Sequence, residues 1–183
     1  MKRNTSPLVS LAIASVLAGG CAKEPDAPPA GKEQTANQTK SADPKATVAA
    51  TLTAYEDIRA KLAADDIAGA TAQADALASA ATKAASEAPE ALRDKLSSTA
   101  RAAEALSKAP ADDPDAVRKA FGEVSRFVVA LLATDASVRE GTYVFECPMA
   151  QGYQKWVQRT DAIENPYMGK RMLACGSKAT WEG

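Results

Sequence analysis

Sulfur-bearing side chains gather in two short segments near the end of the chain. Cys147 and Met149 lie in the first segment, and Met172 and Cys175 lie in the second. If the first is extended and the second is a helical turn, the two sulfur side chains within each segment point to the same side. Each segment then presents one thiolate and one thioether. These four sulfur atoms predict a compact soft-metal site, with Met168 as a candidate fifth ligand.

The sequence contains no histidine, and this narrows the chemistry of such a site. Without imidazole there is no histidine general base, no histidine-dependent catalytic triad and no zinc site of the mixed cysteine and histidine kind. Thiolate and thioether donors favour Cu(I), and to a lesser degree Ag(I), over hard ions. If these sulfur atoms bind a metal, the expected metal is therefore Cu(I) or Ag(I), and we do not expect an enzyme.

The first twenty residues have the pattern of an export signal. A basic end is followed by an apolar run over residues 8–17, which is too short to span a membrane comfortably. Residues 18–20 are small and fit a cleavage site. The pattern predicts export, and therefore an oxidising environment for the mature chain.

A cysteine directly follows this signal. Residues 17–21 resemble a bacterial lipobox, in which the cysteine, here Cys21, is lipidated and becomes the first mature residue. An ordinary secretory signal with an incidental cysteine is the alternative. By the same resemblance, Ala22 implies transfer to the outer membrane of a Gram-negative cell. Residues 21–45 are polar, lack apolar periodicity and predict a disordered tether behind the lipid anchor.

The two cysteines of the sulfur segments are also suited to a disulfide bond. Cys147 and Cys175 are 28 positions apart, and an exported chain is where such pairs oxidise. Closing this loop would stabilise the fold by about 3 kcal/mol, and Met149 and Met172 would then be packing residues. The spacing does not match a Cys-x-x-Cys motif, which disfavours a thiol oxidoreductase. A metal site and a disulfide both remain open.

Residues 46–183 form one predicted domain, and its first part, residues 46–136, is rich in alanine. Apolar residues recur there every three or four positions in four stretches, which predicts four helices of about 20 residues. The aspartate pairs 65–66 and 112–113 are predicted N-caps rather than metal ligands, and Pro89 is a predicted first-turn residue. Short connections favour an all-α, antiparallel four-helix up-and-down bundle.

The composition changes at the start of the second part, residues 137–183, where alanine gives way to glycine, aromatic and sulfur-bearing residues. Residues 142–145 predict a short strand, and Trp156 and Val157 are predicted to lie on a short helical segment. Residues 165–169 combine proline and glycine and predict a turn. We expect a small Cys/Met-rich C-terminal cap of turns and short strand and helix pieces, folded back on the bundle.

Charge excludes one class of partner. The formal net charge of the chain is −1, and no cluster of lysine and arginine stands out in the sequence. Nucleic-acid binding requires such clusters to displace counterions from phosphate. Nucleic acid is therefore not an expected partner.

The C-terminal motifs resemble those of a small bacterial domain family of unknown function. Its pattern has Cys-Pro-Met, a tryptophan, Asn-Pro-Tyr with a glycine two residues further on, and Met-Leu-x-Cys-Gly, behind an antiparallel helical bundle. The matching residues here are Cys147, Pro148, Met149, Trp156, Asn165, Pro166, Tyr167, Gly169, Met172, Leu173, Cys175 and Gly176. Members occur as exported lipoproteins, or fused to the C-terminus of periplasmic adaptor subunits of heavy-metal efflux pumps.

The resemblance implies a function and a set of ligands. It implies that the metal ligands are Cys147, Met149, Met172 and Cys175. Met168 stands where phenylalanine is expected in many members. The implied protein is an outer-membrane lipoprotein facing the periplasm, which binds Cu(I) or Ag(I) for metal buffering or delivery to efflux. A heavy-metal efflux adaptor or a copper chaperone is the implied partner. The alternative is a structural or interaction lipoprotein of the envelope with a Cys147–Cys175 disulfide and no metal.

Overall fold

A computed structural model of the chain describes residues 43–181. The predicted export signal, the predicted lipidation site Cys21 and the predicted tether up to residue 42 lie outside the described residues. Within them, the chain is mostly helical, with four helices followed by a small antiparallel three-stranded sheet. No helix among residues 43–181 is both long enough and apolar enough to cross a membrane.

The helices come first in the chain and the strands follow. The helices are α1 (Pro44–Ala63), α2 (Ile67–Glu87), α3 (Glu90–Ser107) and α4 (Pro114–Thr134). The strands are β1 (Tyr143–Glu146), β2 (Lys155–Gln158) and β3 (Ser177–Lys178), and a 3-10 helix spans Gly169–Met172. Helix α1 thus begins at Pro44, inside the range predicted to be tether.

Aspartate side chains start three of the four helices. Asp43, Asp66 and Asp113 each accept a hydrogen bond from a backbone N–H of the first helical turn, at 3.0, 2.9 and 3.0 Å. Such caps satisfy N–H groups that have no partner inside the helix. The predicted caps at Asp66 and Asp113 are confirmed. Helix α3 instead follows Pro89 and has no side-chain cap.

The apolar stripes predicted from the sequence are the buried positions of the helices. Consecutive helices pack against each other, and α1 also reaches α4 through Tyr55, whose ring stacks on Phe121 at 5.3 Å between centroids. The predicted core positions of the fourth helix are all buried: Val117, Phe121, Val124, Val128, Leu131 and Leu132. The alanine side chains that face neighbouring helices are buried as well, so the helices can approach closely.

The three strands form a sheet in the order β2-β1-β3, and β2 packs against α4. Strand β1 pairs with both neighbours, with Val144 opposite Val157 and Phe145 opposite both Trp156 and Lys178. The predicted strand at residues 142–145 is confirmed with a shift of one residue. The predicted helical segment at Trp156 and Val157 is wrong, because both residues lie in β2 and pair with β1.

Candidate functional site

The structure brings the two predicted cysteine ligands together. The sulfur atoms of Cys147 and Cys175 are 3.5 Å apart, and neither residue is in a disulfide. A disulfide bond has an S–S length of about 2.05 Å, so the pair is a dithiol in van der Waals contact. Cys147 is fully buried, while Cys175 is partly exposed. The pair is therefore reached from the Cys175 side.

A turn directly after β1 positions Cys147. Its backbone N–H donates to the carbonyl of Gln154 at 3.0 Å, and its own carbonyl accepts from the N–H of Ala150 at 3.0 Å. The segment Cys147-Pro148-Met149 is thus a turn and not extended, so the condition under which Cys147 and Met149 would point to the same side is not met. Cys147 is buried, whereas Met149 is 56% exposed. The two side chains do not share one environment, because the chain reverses direction between them.

A second turn positions Cys175. The 3-10 helix ends at Met172, and the N–H of Cys175 donates to the Met172 carbonyl at 2.9 Å. Asn165 then fixes the position of this turn, because its side-chain amide donates to the Cys175 carbonyl at 2.6 Å and its backbone N–H donates to the Leu173 carbonyl at 2.8 Å. Asn165 is fully buried. It is therefore a positioning residue for the dithiol.

The same asparagine also holds the predicted Asn-Pro-Tyr turn. Its side-chain oxygen accepts from the N–H groups of Tyr167 and Met168 at 2.8 and 3.1 Å. Asparagine side chains commonly satisfy backbone groups two or three residues further on in this way. The predicted turn at residues 165–169 is confirmed. One buried side chain thereby links this turn to the segment that carries Cys175.

Glycine is required directly after Cys175. Gly176 has a φ of 140°, and a Cβ atom there would lie 2.8 Å from the carbonyl oxygen of Glu146 and 2.9 Å from the Trp156 ring. Residue 146 immediately precedes Cys147. The close approach of the two backbones therefore sets the separation of the two thiols, and any side chain at position 176 would push them apart.

Aromatic rings form an apolar layer between the dithiol and the helices. Trp156 stacks on Phe145 at 5.6 Å and meets Tyr167 edge-on at 5.9 Å, and Tyr167 lies 5.9 Å from Phe121 of α4. The Tyr167 hydroxyl donates to the carbonyl of Lys155 at 2.6 Å. Burial raises the pKa of Tyr167 well above its usual range. These rings belong to the same buried apolar cluster as Cys147.

Two ion-pair networks anchor the C-terminal region to the helices. Arg59 of α1 is buried, pairs with Glu56 and Glu164 at 2.8 and 3.0 Å, and donates to the Glu164 carbonyl at 2.9 Å. Burial raises the pKa of Glu56, although Arg59 acts in the opposite direction. Glu164 immediately precedes Asn165. Helix α1 therefore holds the positioning residue in place.

The second network centres on Asp65, which was predicted as a cap but does not cap a helix. Its φ is 59°, and its carboxylate pairs with Arg118 of α4 at 2.6 Å and accepts from the Lys170 N–H at 3.1 Å. Gly169 lies against this carboxylate, since a Cβ there would be 1.8 Å from an Asp65 oxygen. Asp65 thus anchors the 3-10 helix, and the cap prediction for this residue is corrected. Asp112 is exposed, and Asp113 is the cap of α4.

The methionines lie in different surroundings. Met149 and Met172 are 56% and 36% exposed, whereas Met168 is almost completely buried. Met149 and Met168 line one small cavity of about 70 Å³ with Tyr167 and Arg171. Among residues 43–181 no cluster of three or more cysteine, histidine or acidic residues could hold a metal. A metal at the dithiol therefore needs thioether, backbone or external ligands to complete its coordination.

The electrostatics of the dithiol favour the protonated form of Cys175. The hydrogen bond with the Cys147 thiol raises the pKa of Cys175, and desolvation acts in the same direction. Metal ligation requires thiolates, so binding would release protons from the pair. Affinity for a soft metal is therefore expected to increase with pH.

Sequence reasoning missed the residues that position the two cysteines. Asn165 was recognised as part of a turn and of the Asn-Pro-Tyr motif but was given no role at the cysteines, and Arg59 and Asp65 were not linked to the site. Asn-Pro in front of an aromatic residue is a turn signal, but no sequence signal shows that its amide reaches Cys175.

No protein-family model, curated protein or solved structure matches the chain.

Proposed function

We propose that the protein is a periplasmic, membrane-anchored lipoprotein that binds Cu(I) or Ag(I) at Cys147 and Cys175. The observation that carries this proposal is the 3.5 Å separation of the two sulfur atoms. Two thiolates bound at 2.3 Å to one tetrahedral ion lie roughly 3.8 Å apart. The pair thus accepts a soft ion with a shift of a few tenths of an ångström, and thiolates select such ions.

Met149 and Met172 are the proposed thioether ligands, with Met168 as a candidate fifth. Met149 lies in the same turn as Cys147, and the Met172 carbonyl accepts a hydrogen bond from the Cys175 N–H. Each methionine is therefore close to one of the two cysteines along the chain. Both are exposed, and a methionine side chain has three rotatable bonds. The proposal requires these exposed side chains to turn toward the metal when it binds.

The finer architecture and the cellular role belong to the same proposal. The four helices are proposed to form an antiparallel up-and-down bundle, and residues 137–183 a cap on it. Lipid on Cys21 anchors the chain to the outer membrane, facing the periplasm. The protein is not an enzyme and does not bind nucleic acid; it buffers metal or delivers it to a heavy-metal efflux adaptor or copper chaperone.

A second function is favoured by the same close contact. Two thiols 3.5 Å apart need to approach by only about 1.5 Å to form a disulfide. The periplasm is oxidising. In that case Cys147 and Cys175 form a structural bridge, Met149 and Met172 bind no metal, and the helices dock an envelope partner.

The two functions are separated by an anaerobic Cu(I) titration against a competing chelator. The protein used is the mature chain, residues 21–183, carrying Cys21→Ser to prevent lipidation. We expect one tightly bound Cu(I) per chain, weaker binding after Met149→Leu with Met172→Leu, and none after Cys147→Ser with Cys175→Ser. Leucine preserves methionine volume, so the methionine variant should lose less than about 1.5 kcal/mol of stability. Unchanged Cu(I) affinity in that variant would refute the four-sulfur site.

A further inference from the structure

A large open groove lies along α4, on residues that the dithiol does not use. Its volume is about 1020 Å³, and its walls come from α4 and from segments that follow it. The floor consists of Val129, Ala130 and Ala133, which share one face of the helix by their spacing. Small-molecule sites usually have volumes of about 300–1,000 Å³. The groove is therefore large enough for a small organic ligand.

Two arginines flank this apolar floor. Arg126 lies one turn before Ala130 on the same face of α4, and Arg139 comes from the segment after the helix. Among the described residues that line the groove, none is acidic. Arg126 pairs with Glu123 outside the groove, but a guanidinium has five N–H donors and retains some for a ligand. The lining is complementary to a molecule with an apolar body and an anionic head.

Two aromatic side chains complete the walls. Trp181 lies under the Arg139 guanidinium, with 5.7 Å between the guanidinium carbon and the ring centre. Tyr153 is partly buried. Burial raises the pKa of its hydroxyl, and the charge of Arg126 has a smaller effect in the opposite direction. Arg126 itself lies over the ring of Phe127, 4.7 Å from the ring centre and outside the groove lining. The pairing of Arg139 with Trp181 thus places one guanidinium at the apolar surface of the groove, as a carboxylate with an apolar tail requires.

We propose that this groove binds an amphiphilic carboxylate with an unbranched apolar chain, of the medium-chain fatty-acid class. The chain lies along the α4 floor, and the carboxylate accepts hydrogen bonds from Arg139 over the Trp181 ring, while Arg126 contributes positive charge at the other end of the floor. From Arg126 to Ala133 the helix rises roughly 10 Å, which gives the length of the apolar track. This site is separate from Cys147 and Cys175 and does not depend on metal binding.

The test is a titration of the mature chain, carrying Cys21→Ser, with dodecanoate below its micelle concentration. Binding is followed by calorimetry and by tryptophan fluorescence. We expect saturable one-to-one binding, and a fluorescence change that disappears in Trp181→Phe because Trp156 is fully buried. The double variant Arg126→Gln with Arg139→Gln should bind more than tenfold more weakly. Arg101→Gln, an exposed change on α3, should leave the affinity unchanged.

Two further measurements keep the proposal falsifiable. Ala130 is exposed, so Ala130→Trp should fold normally, fill the groove and abolish binding. Dodecanol has no charge and should bind more than tenfold more weakly than dodecanoate. Equal affinity for the alcohol, equal affinity in the double arginine variant, or no saturable binding would each overturn the proposal. Binding only to vesicles of anionic phospholipid would also overturn it, since it would place the groove at a bilayer.

Discussion

The helical region, residues 44–134, and the C-terminal region, residues 135–181, are stabilised in different ways. In the helices, buried apolar side chains repeat at helical spacing, and many of them together form the packed core. In the C-terminal region a few residues determine the backbone path, above all Asn165 and Gly176. The backbone path of the first region should therefore not depend on any single side chain, whereas that of the second should depend on a few specific positions.

The largest effect is expected from Gly176→Ala. The new methyl group would meet the Glu146 carbonyl in a backbone conformation that alanine disfavours. We expect a loss of about 3 kcal/mol of unfolding free energy, measured by chemical denaturation. Gly141→Ala is the matched control, because Gly141 has a φ of 76° but no atom within 4 Å of the added Cβ. It should lose only about 1 kcal/mol. Equal losses would show that strain, not the close approach, explains the effect.

Asn165→Ala should have the next largest effect. It removes three side-chain hydrogen bonds and leaves the Cys175 carbonyl without its donor. We expect a loss of about 2 kcal/mol of unfolding free energy. Disulfide formation after addition of a mild oxidant should also be slower, since the thiols are less well aligned. Asn165→Asp keeps the acceptor for the Tyr167 and Met168 N–H groups but also removes the donor to the Cys175 carbonyl, so it should slow disulfide formation as well. If the two variants form the disulfide at the unmodified rate, Asn165 does not position Cys175.

These two residues also show where sequence reasoning stops. The helix starts at Asp66 and Asp113 and the apolar stripes follow from local spacing, so the sequence predicted them correctly. Trp156 was misassigned because its strand exists only through pairing with β1, where its partner is Phe145, and the spacing of apolar residues around Trp156 does not record that pairing. The same applies to the dithiol: its two residues were predicted, but their separation depends on contacts that no local pattern records.

Stability should depend on pH in the alkaline range, because two buried tyrosines lie where the two regions meet. Tyr55 of α1 is hydrogen-bonded to Ser125 at 2.7 Å and to the Val157 N–H at 3.2 Å, and burial raises its pKa and that of Tyr167. Both groups must stay protonated in the folded state. The free energy of unfolding is therefore retained below about pH 10. Above that pH it falls by about 1.4 kcal/mol per pH unit for each tyrosine.

Denaturation curves at pH 9, 10 and 11 would measure this slope. Tyr55→Phe should reduce the slope by the contribution of one tyrosine, although it also costs about 1 kcal/mol through its lost hydrogen bonds. Tyr143→Phe, at an exposed position, is the control and should leave the slope unchanged. A slope that is the same in all three proteins would contradict the role of burial at Tyr55.

The smallest effect is expected in the helical region. Asp113→Ala removes the side-chain acceptor at the start of α4 and should lose about 1 kcal/mol. Asp112→Ala, one residue earlier, removes an exposed side chain outside the cap and should change the stability very little. Neither substitution should alter the reactivity of Cys147 or Cys175. A changed thiol reactivity would show that the two regions are more tightly coupled than the contacts suggest.

The most direct test of the metal proposal is a thiol count on the mature, unlipidated chain purified from the periplasm without reductant. We predict two alkylatable thiols, at Cys147 and Cys175, both protected when one equivalent of Cu(I) is added anaerobically. The contrary result is no free thiol as purified, and no Cu(I) binding after reduction. That outcome would make the pair a structural disulfide and direct attention to protein partners in the envelope.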